Sequence, residues 1–541
     1  LFPYTTLFRS RDPGNGQSSK CNWNMDWERP VNFSYLNADG EMMFNQDVNL
    51  EMCGGWSRAW TPHSFKLKGS KELGGDKNLL YPFFNQKPYI RNRTLQVRNG
   101  GHDTSCRIKD GALQYLLQSS GINIDCQSYE PVHEFINGWY FGVLNIREPN
   151  NKHYVYANYG WDEDEIDQFE MSPDSGYVQK CGTPDAFLEL VDVLSPDAAN
   201  SETYAEICRR IDIDAYANYM AAQFYLANWD WPQNNVKGFR HRDDGKFRFV
   251  LFDLDGAFNS GSPFEDFFNR ERYTFDQLYP TSLGRITAQI RFVTLFKNMI
   301  KNDDFRRRFI DAYCIMGGSV FEKNRANQII TELLNRVEPD MNIGWESASG
   351  TANDMINRLK SRQSTATQAL KNYTAFGVKY TTTQAVTLST DTEGAVLFIN
   401  NQKVPTGKFS GHLFAPVKLR AQAPAGYVFQ GWLDNAGNVK FTDEEISMPT
   451  GKVDLKASFR AMTDAESKAQ GVTPVRINEV SGSNDSYIDE YGKKGDWVEL
   501  YNTTDAEIDV EGMYLTDNLD KPEKYQITKG KTKAQTKIPD L

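Results

Sequence analysis

The sequence predicts a multidomain chain: an α+β domain followed by two small all-β modules. Three observations carry that expectation. A chain of 541 residues is too long for one hydrophobic core and divides into domains. Short strand-like runs dominate the first part, and after Phe258 helical spacing takes over. After Tyr373 the pattern changes again, to strand alternation.

Composition narrows the class. Hydrophobic residues make up 40% and aromatics 13%, which fits packed domains and not disorder. The net charge of −11 mixes acids and bases without a basic run, so nucleic-acid binding through phosphate contacts is not expected. No apolar run approaches the length of a membrane-spanning helix. The seven cysteines (Cys21, Cys53, Cys106, Cys126, Cys181, Cys208, Cys314) contain no Cys-x-x-Cys pair and no metal-ligand spacing with the six histidines. An odd number cannot close into a complete internal disulfide set, so buried thiols are expected.

Taken in order, residues 1–25 read as a segment outside the fold. LFPYTTLFRS (1–10) resembles a translated sequencing-adapter remnant, and the Gly/Ser/Asn-rich stretch after it reads as linker. The first domain is expected over 26–376. Residues 31–35, 41–44, 48–52 and 64–68 read as strands, with Lys66 on the last of them. Residues 108–117 read as a helix. Residues 132–148 read as a hairpin turning at Asn137-Gly138. Seven acids lie from Asp162 to Asp174 inclusive; they lack the alternation and central Gly of a calcium loop and read as a solvated helix start. Helices are expected over 187–194, 201–211 and up to Asn228, then over 283–301, 304–314, 322–337 and 352–373.

The chemistry concentrates between Asn218 and Gly261. A helix ends in the loop Trp229-Asp230-Trp231-Pro232-Gln233-Asn234-Asn235, because Pro232 disfavours helical backbone at Trp231. A hairpin around Asp243-Asp244-Gly245 follows. The apolar run 249–252 then reads as a core strand delivering Asp253 and Asp255 at its end. Asp230 and Asn235 stand five apart on one loop, and a strand-end acid follows. Protein kinases use the same grammar: a loop Asp, an Asn five later that holds metal, and a strand-end Asp that holds metal. Oxygen ligands of this kind suit Mg2+. His-Arg-Asp is replaced by Asn228-Trp229-Asp230, and Asp-Phe-Gly by Asp253-Leu254-Asp255-Gly256.

DWPQNN followed by FDLDGAF resembles the CotH (spore-coat protein H) family of atypical, secreted kinase-like proteins. Residues 95–103 (LQVRNGGHD), Arg107-Ile108-Lys109-Asp110 and residues 131–148 (PVHEFINGWYFGVLNIRE) resemble further segments of that family, with His102 where Asn is usual and Trp139 where an acid is common. The resemblance implies an α+β atypical protein-kinase-like domain. It implies ATP and Mg2+ as cofactors and a protein substrate, the chain itself included. Asp230 is the catalytic candidate, and Asn235, Asp253 and Asp255 are the metal candidates. Lys66, Arg98, Arg107 and Glu148 are nucleotide-binding candidates: the first three for phosphate, Glu148 to orient a lysine or a metal. FDLDGAF also resembles the first motif of haloacid-dehalogenase phosphatases. Against that stand Ala257 in place of the usual Thr, the motif's position mid-chain, and an acidic pair, Asp303-Asp304, in a helix-like stretch and not after a strand.

Residues 377–462 are expected to fold as an independent β-domain. Gly426-Tyr427-Val428-Phe429-Gln430-Gly431-Trp432 resembles internalin-type B repeats of bacterial surface proteins. Residues 463–473 read as linker. Residues 474–541 resemble part of a lamin-tail β-sandwich, with too few strands to close it. The expected protein is secreted or on the bacterial cell surface, its signal peptide lying outside this sequence. The first functional reading is phosphoryl transfer from Mg-ATP to protein hydroxyls, an atypical Ser/Thr protein kinase. The alternative is a non-catalytic scaffold or adhesion protein whose β-modules bind envelope or carbohydrate partners.

Overall fold

A computed structural model of the chain describes residues 21–541 except 88–90, 102, 104–106, 173–175, 244, 270–282, 342–348, 373–381, 470–474, 483, 485–494, 503–507, 519, 529–536 and 539–541. The expectations for residues 1–20, His102 and Cys106 lie outside the described residues. The chain forms two compact units.

The first unit begins with a six-stranded sheet. Its strands are β1 (Glu28–Leu36), β2 (Met42–Met52), β3 (Phe65–Gly69), β4 (Thr94–Arg98), β6 (Tyr129–Ile136) and β7 (Trp139–Arg147), in the order β1-β2-β3-β4-β7-β6. The two strands expected within 41–52 are one continuous strand, paired to β1 along its length. Val48, Leu50, Phe65, Leu67, Leu95, Val97, Leu144 and Ile146 form one buried cluster on this sheet, the alternating-face burial that period two provides. Asn137 and Gly138 close the β6–β7 hairpin with φ of 53° and 82°, as a two-residue turn of this kind requires. Helix α1 (Lys109–Gln118) lies between β4 and β6 in sequence.

A second sheet carries β5 (Asp125–Cys126), β8 (Ile166–Ser172), β9 (Gly176–Cys181), β10 (Val236–His241) and β11 (Arg248–Leu251), in the order β9-β8-β10-β11-β5. Strand β8 corrects the expected helix start in the acidic stretch. Ile166, Phe169 and Met171 are buried, and Asp167 is a buried ion-pair partner of Arg240 at 2.8 Å. Helix α2 (Lys152–Tyr159) follows the connection between the sheets. Helices α3 (Ser201–Arg210) and α4 (Ile213–Leu226) lead to the candidate loop. Asp212 caps α4 by accepting from the Ala215 amide at 3.0 Å, and Ala227 ends it in the left-handed region. Helices α5 (Leu283–Met299), α6 (Asp303–Ile315), α7 (Lys323–Met341) and α8 (Ser349–Asn372) complete the helical part at nearly the expected positions.

Most β-repeat strands belong to this same unit, through Val396–Ala421 and Trp432–Ala457. The expected independent domain therefore has a seam with the helices. Gly317 and Gly318 lie just past α6, and a Cβ on Gly318 would clash with the Phe409 ring. Buried Asp311 on α6 accepts from Arg307 Nε at 2.9 Å and from Asn400 Nδ2 at 2.6 Å. Arg307 donates to the Phe414 carbonyl at 2.8 Å, and Gln363 to that of Ser410 at 2.9 Å. The Ser319 and Thr406 hydroxyls bond at 2.7 Å.

The second unit takes Asp391–Ala395, Gln422–Gly431 and Ser458–Leu541. The expected linker at 463–473 contains a short helix, Asp464–Ala469. Val475–Ser481 pairs antiparallel with Trp497–Asn502. Among the described residues no helix is long and apolar enough to cross a membrane.

Candidate active site

The sequence gives the central loop two left-handed residues that are not glycine. Asn235 has φ of 58° and Asp253 of 57°. Asn and Asp tolerate that conformation better than other side chains, and such backbone gathers at sites where it aims a side chain. Asn235 donates its amide nitrogen to Asp230 Oδ2 at 3.1 Å. Asn234 donates to the same oxygen at 3.0 Å, and Gln233 to Oδ1 at 3.3 Å. Giving its nitrogen to Asp230 leaves Asn235 its carbonyl oxygen, the atom a hard cation takes.

The loop that ends β11 is stitched to this one. The Trp229 amide donates to the Gly256 carbonyl at 3.3 Å, Phe258 to Leu226 at 2.6 Å and Ser260 to Ala227 at 3.1 Å. A Cβ on Gly256 would press on Asn228 and the Trp229 indole, so glycine permits this approach.

From the first sheet, Arg98 at the end of β4 reaches across to the same loop. Its guanidinium is ion-paired to Asp253, lies 3.4 Å from Asp255 and 3.7 Å from Asp110 on α1. Gly101 lies against Asp255 and Arg98, where a Cβ would clash with both. Burial alone would raise the Asp110 carboxyl, but Arg147 and Arg98 beside it and the Leu254 amide hold it well below the usual carboxylate range. The Leu254 amide donates to Asp110 at 2.8 Å, and Lys109 donates to the Asp255 and Ala257 carbonyls at 2.7 and 2.9 Å. The first turn of α1 thus grips the acid-bearing loop.

The remaining candidates are dispersed. Lys66 on β3 lies 3.9 Å from Glu51. Glu148, in the connection between the sheets, is almost fully buried. It pairs with Lys87 at 2.5 Å and accepts from the Ser128 amide and Asn158, each at 2.8 Å. The lysine it orients is thus Lys87, and that pair clamps the connection. Arg107 is buried and donates to the Val143 carbonyl at 2.6 Å, tying α1 to the sheet. Among the described residues no group of three or more His, Cys, Asp or Glu is arranged to hold a metal. A site built from one or two carboxylates, an Asn oxygen and substrate phosphates does not need one.

Sequence reasoning missed four residues here. Lys109 and Asp110 lie in the family-like segment that begins at Arg107, where their residue types alone give no signal. Lys87 sits in an irregular stretch with no local signal. Lys237, two residues past Asn235, bonds Asn150 in the connection at 3.1 Å and Glu170 on β8 at 3.1 Å, with its ammonium 5.3 Å from the Phe252 ring. Burial lowers its pKa, Glu170 opposes that, and Lys180 and Lys66 lower it further.

The family model described as CotH kinase protein matches residues 50–376, more than half of the chain. The chain belongs to the CotH kinase family. A divergent InlB B-repeat domain matches residues 385–463. The fold is accordingly a kinase-like α+β region followed by β-rich modules, as the sequence predicted, and no curated protein matches the chain. Among solved structures, the chain is similar to the crystal structure of a Helicobacter pylori proinflammatory kinase, CtkA. The two are 13% identical, with 53% of this chain and 97% of that chain covered and a TM-score of 0.24. It is also similar to the Shewanella oneidensis MR-1 toxin–antitoxin complex of HipA, HipB and operator DNA. There the identity is 11%, 50% of this chain and 57% of that chain are covered, and the TM-score is 0.24.

Proposed function

We propose that this CotH-family chain transfers a phosphoryl group from Mg-ATP to protein hydroxyls, its own included. The observation that carries the reading is the stitching of the Asp230–Asn235 loop to the Asp253–Gly256 loop, with Arg98 reaching the latter from the opposite sheet. Asp230 orients the acceptor hydroxyl and takes its proton, and its contacts with Gln233, Asn234 and Asn235 fix its rotamer. The Asn235 oxygen and the Asp253 carboxylate would hold Mg2+, with Asp255 beside them. When bound, the ion neutralises charge on the phosphates and the transferring group. Arg98 contacts phosphate, and until nucleotide arrives its charge offsets the mutual repulsion of Asp253 and Asp255. The family and the B-repeat are consistent with a surface or extracellular location, which we adopt.

A second reading has one observation in its favour. The guanidinium of Arg98 already occupies Asp253 and lies 3.4 Å from Asp255, as it would in a scaffold that no longer turns over, with the β-modules binding envelope or carbohydrate partners. Incubation of the full chain with labelled ATP and Mg2+ decides between them. Incorporation that disappears in Asp230→Ala supports transfer; Mg-ATP binding without incorporation supports the scaffold.

A further inference from the structure

A cavity of about 170 Å³ lies at the seam between the helices and the β-repeat strands. Lys323, Lys360 and Lys452 line it, together with His412 and a single acid, Glu322. The lysines come from three separate segments: the start of α7, the middle of α8, and the residue before the strand Val453–Ala461. Among the described residues none of the three ammonium groups has an ion-pair partner.

Glu322 offsets one of these charges, so three lysines against one acid leave the lining net positive. Its Oε2 accepts from the Asn324 and Arg325 amides at 3.0 and 3.1 Å, so it caps α7. A lone surface lysine is a solvated charge. Three that converge on one concave space focus a positive potential there. The walls add neutral donors, the hydroxyls of Thr387 and Ser410.

We propose that this cavity is an anion-binding site that takes a phosphate group, held by Lys323, Lys360 and Lys452. Phosphate fits better than carboxylate because it presents more acceptor oxygens, in a tetrahedral array, to donors arriving from three directions. The inference does not rest on phosphoryl transfer, since none of these residues belongs to the proposed cleft, the site formed by the Asp230–Asn235 loop, the Asp253–Gly256 loop and Arg98. Because the walls come from both sides of the seam, a bound anion ties the β-repeat to the helices and stabilises the folded unit by linkage.

The test is thermal unfolding of the full chain in inorganic phosphate or pyrophosphate, with ionic strength held constant by sodium chloride. The midpoint of the wild type should rise with phosphate and saturate. Lys323→Gln/Lys360→Gln/Lys452→Gln should show no saturable rise, and each single substitution should weaken the apparent affinity about two- to five-fold. Phosphorus NMR linewidths of added phosphate provide the second measurement, broadening with wild type only. Lys418→Gln, a lysine outside the cavity lining that pairs with Glu445 at 2.6 Å, should leave both responses unchanged. The proposal is overturned by an equal phosphate response in the triple variant. It is also overturned by a response confined to long polyphosphate and lost at about 0.15 M salt, the behaviour of diffuse surface attraction.

Discussion

At the seam, Asp311 is fully buried, and its oxygens are taken by Arg307 and Asn400 while Arg307 continues to the Phe414 carbonyl. In the cleft, Arg98 spreads one guanidinium over Asp110, Asp253 and Asp255, and Asp253 stays partly exposed. Both regions bring charge together across distant parts of the chain. The seam does so with each group matched and apolar surface such as Phe409 packed beside it. The cleft leaves acids in excess, on left-handed backbone, at a place where a cation and phosphates would complete the balance. A matched buried network is structure, whereas an excess of one sign at a strained strand end marks a site.

The comparison breaks most visibly at the seam. Asp311→Ala leaves Arg307 and Asn400 without their acceptor and should cost about 3–5 kcal/mol in urea unfolding, the range for removing one partner of a buried pair. Gly318→Val drives a side chain into the Phe409 ring and should cost about 1–3 kcal/mol. Both should lower the melting point of the whole first unit, and an unchanged melting point for either would mean the β-repeat folds apart from the helices.

A pH dependence sharpens the contrast within the first sheet. Glu134 on β6 is buried, which pushes its pKa from 4.5 up to about 8, with Arg107 opposing. The folded state therefore holds a proton that the unfolded state releases above pH 4.5. Stability from this group should be present below that value and decline as pH rises through about 8. Glu134→Gln should flatten that part of the stability–pH curve; a slope identical to wild type would remove Glu134 from the account. The smallest effect is expected in the cleft. Lys237→Met leaves Glu170 paired to Lys180 at 2.6 Å, so unfolding free energy should move by no more than about 1 kcal/mol.

The chemistry-bearing loops were legible because their information is local. Asp230 and Asn235 share one loop, and Asp253 follows an apolar strand, so spacing alone pointed to them. The helices α5 to α8 and the β6–β7 hairpin were legible for the same reason, through period and turn residues. What stayed hidden depends on distance along the chain. Arg98 was singled out for phosphate, but its pairing with Asp253, 155 residues away, follows only from the packing of the two sheets. The partner of Glu148, Lys87, lies 61 residues earlier. Strand β8 was obscured differently: residues 166–169 are all buried, so the strand shows no period-two pattern, and the acids around them read as solvated although Asp167 pairs with Arg240. The seam left no pattern because glycine pairs such as Gly317-Gly318 mark turns far more often than docking surfaces.

The central claim is that Asp253 belongs to a cation and nucleotide site and not to the framework. It is tested most directly by binding of Mn2+, a spectroscopic stand-in for Mg2+, in the presence of ATP, followed by electron paramagnetic resonance. Wild type should bind the metal–nucleotide complex at one site. Asp253→Asn keeps the side chain's size and one oxygen, so its melting point without nucleotide should stay within a few degrees of wild type, about 1 kcal/mol or less, while the bound signal disappears. A bound signal of wild-type strength in Asp253→Asn would contradict the account.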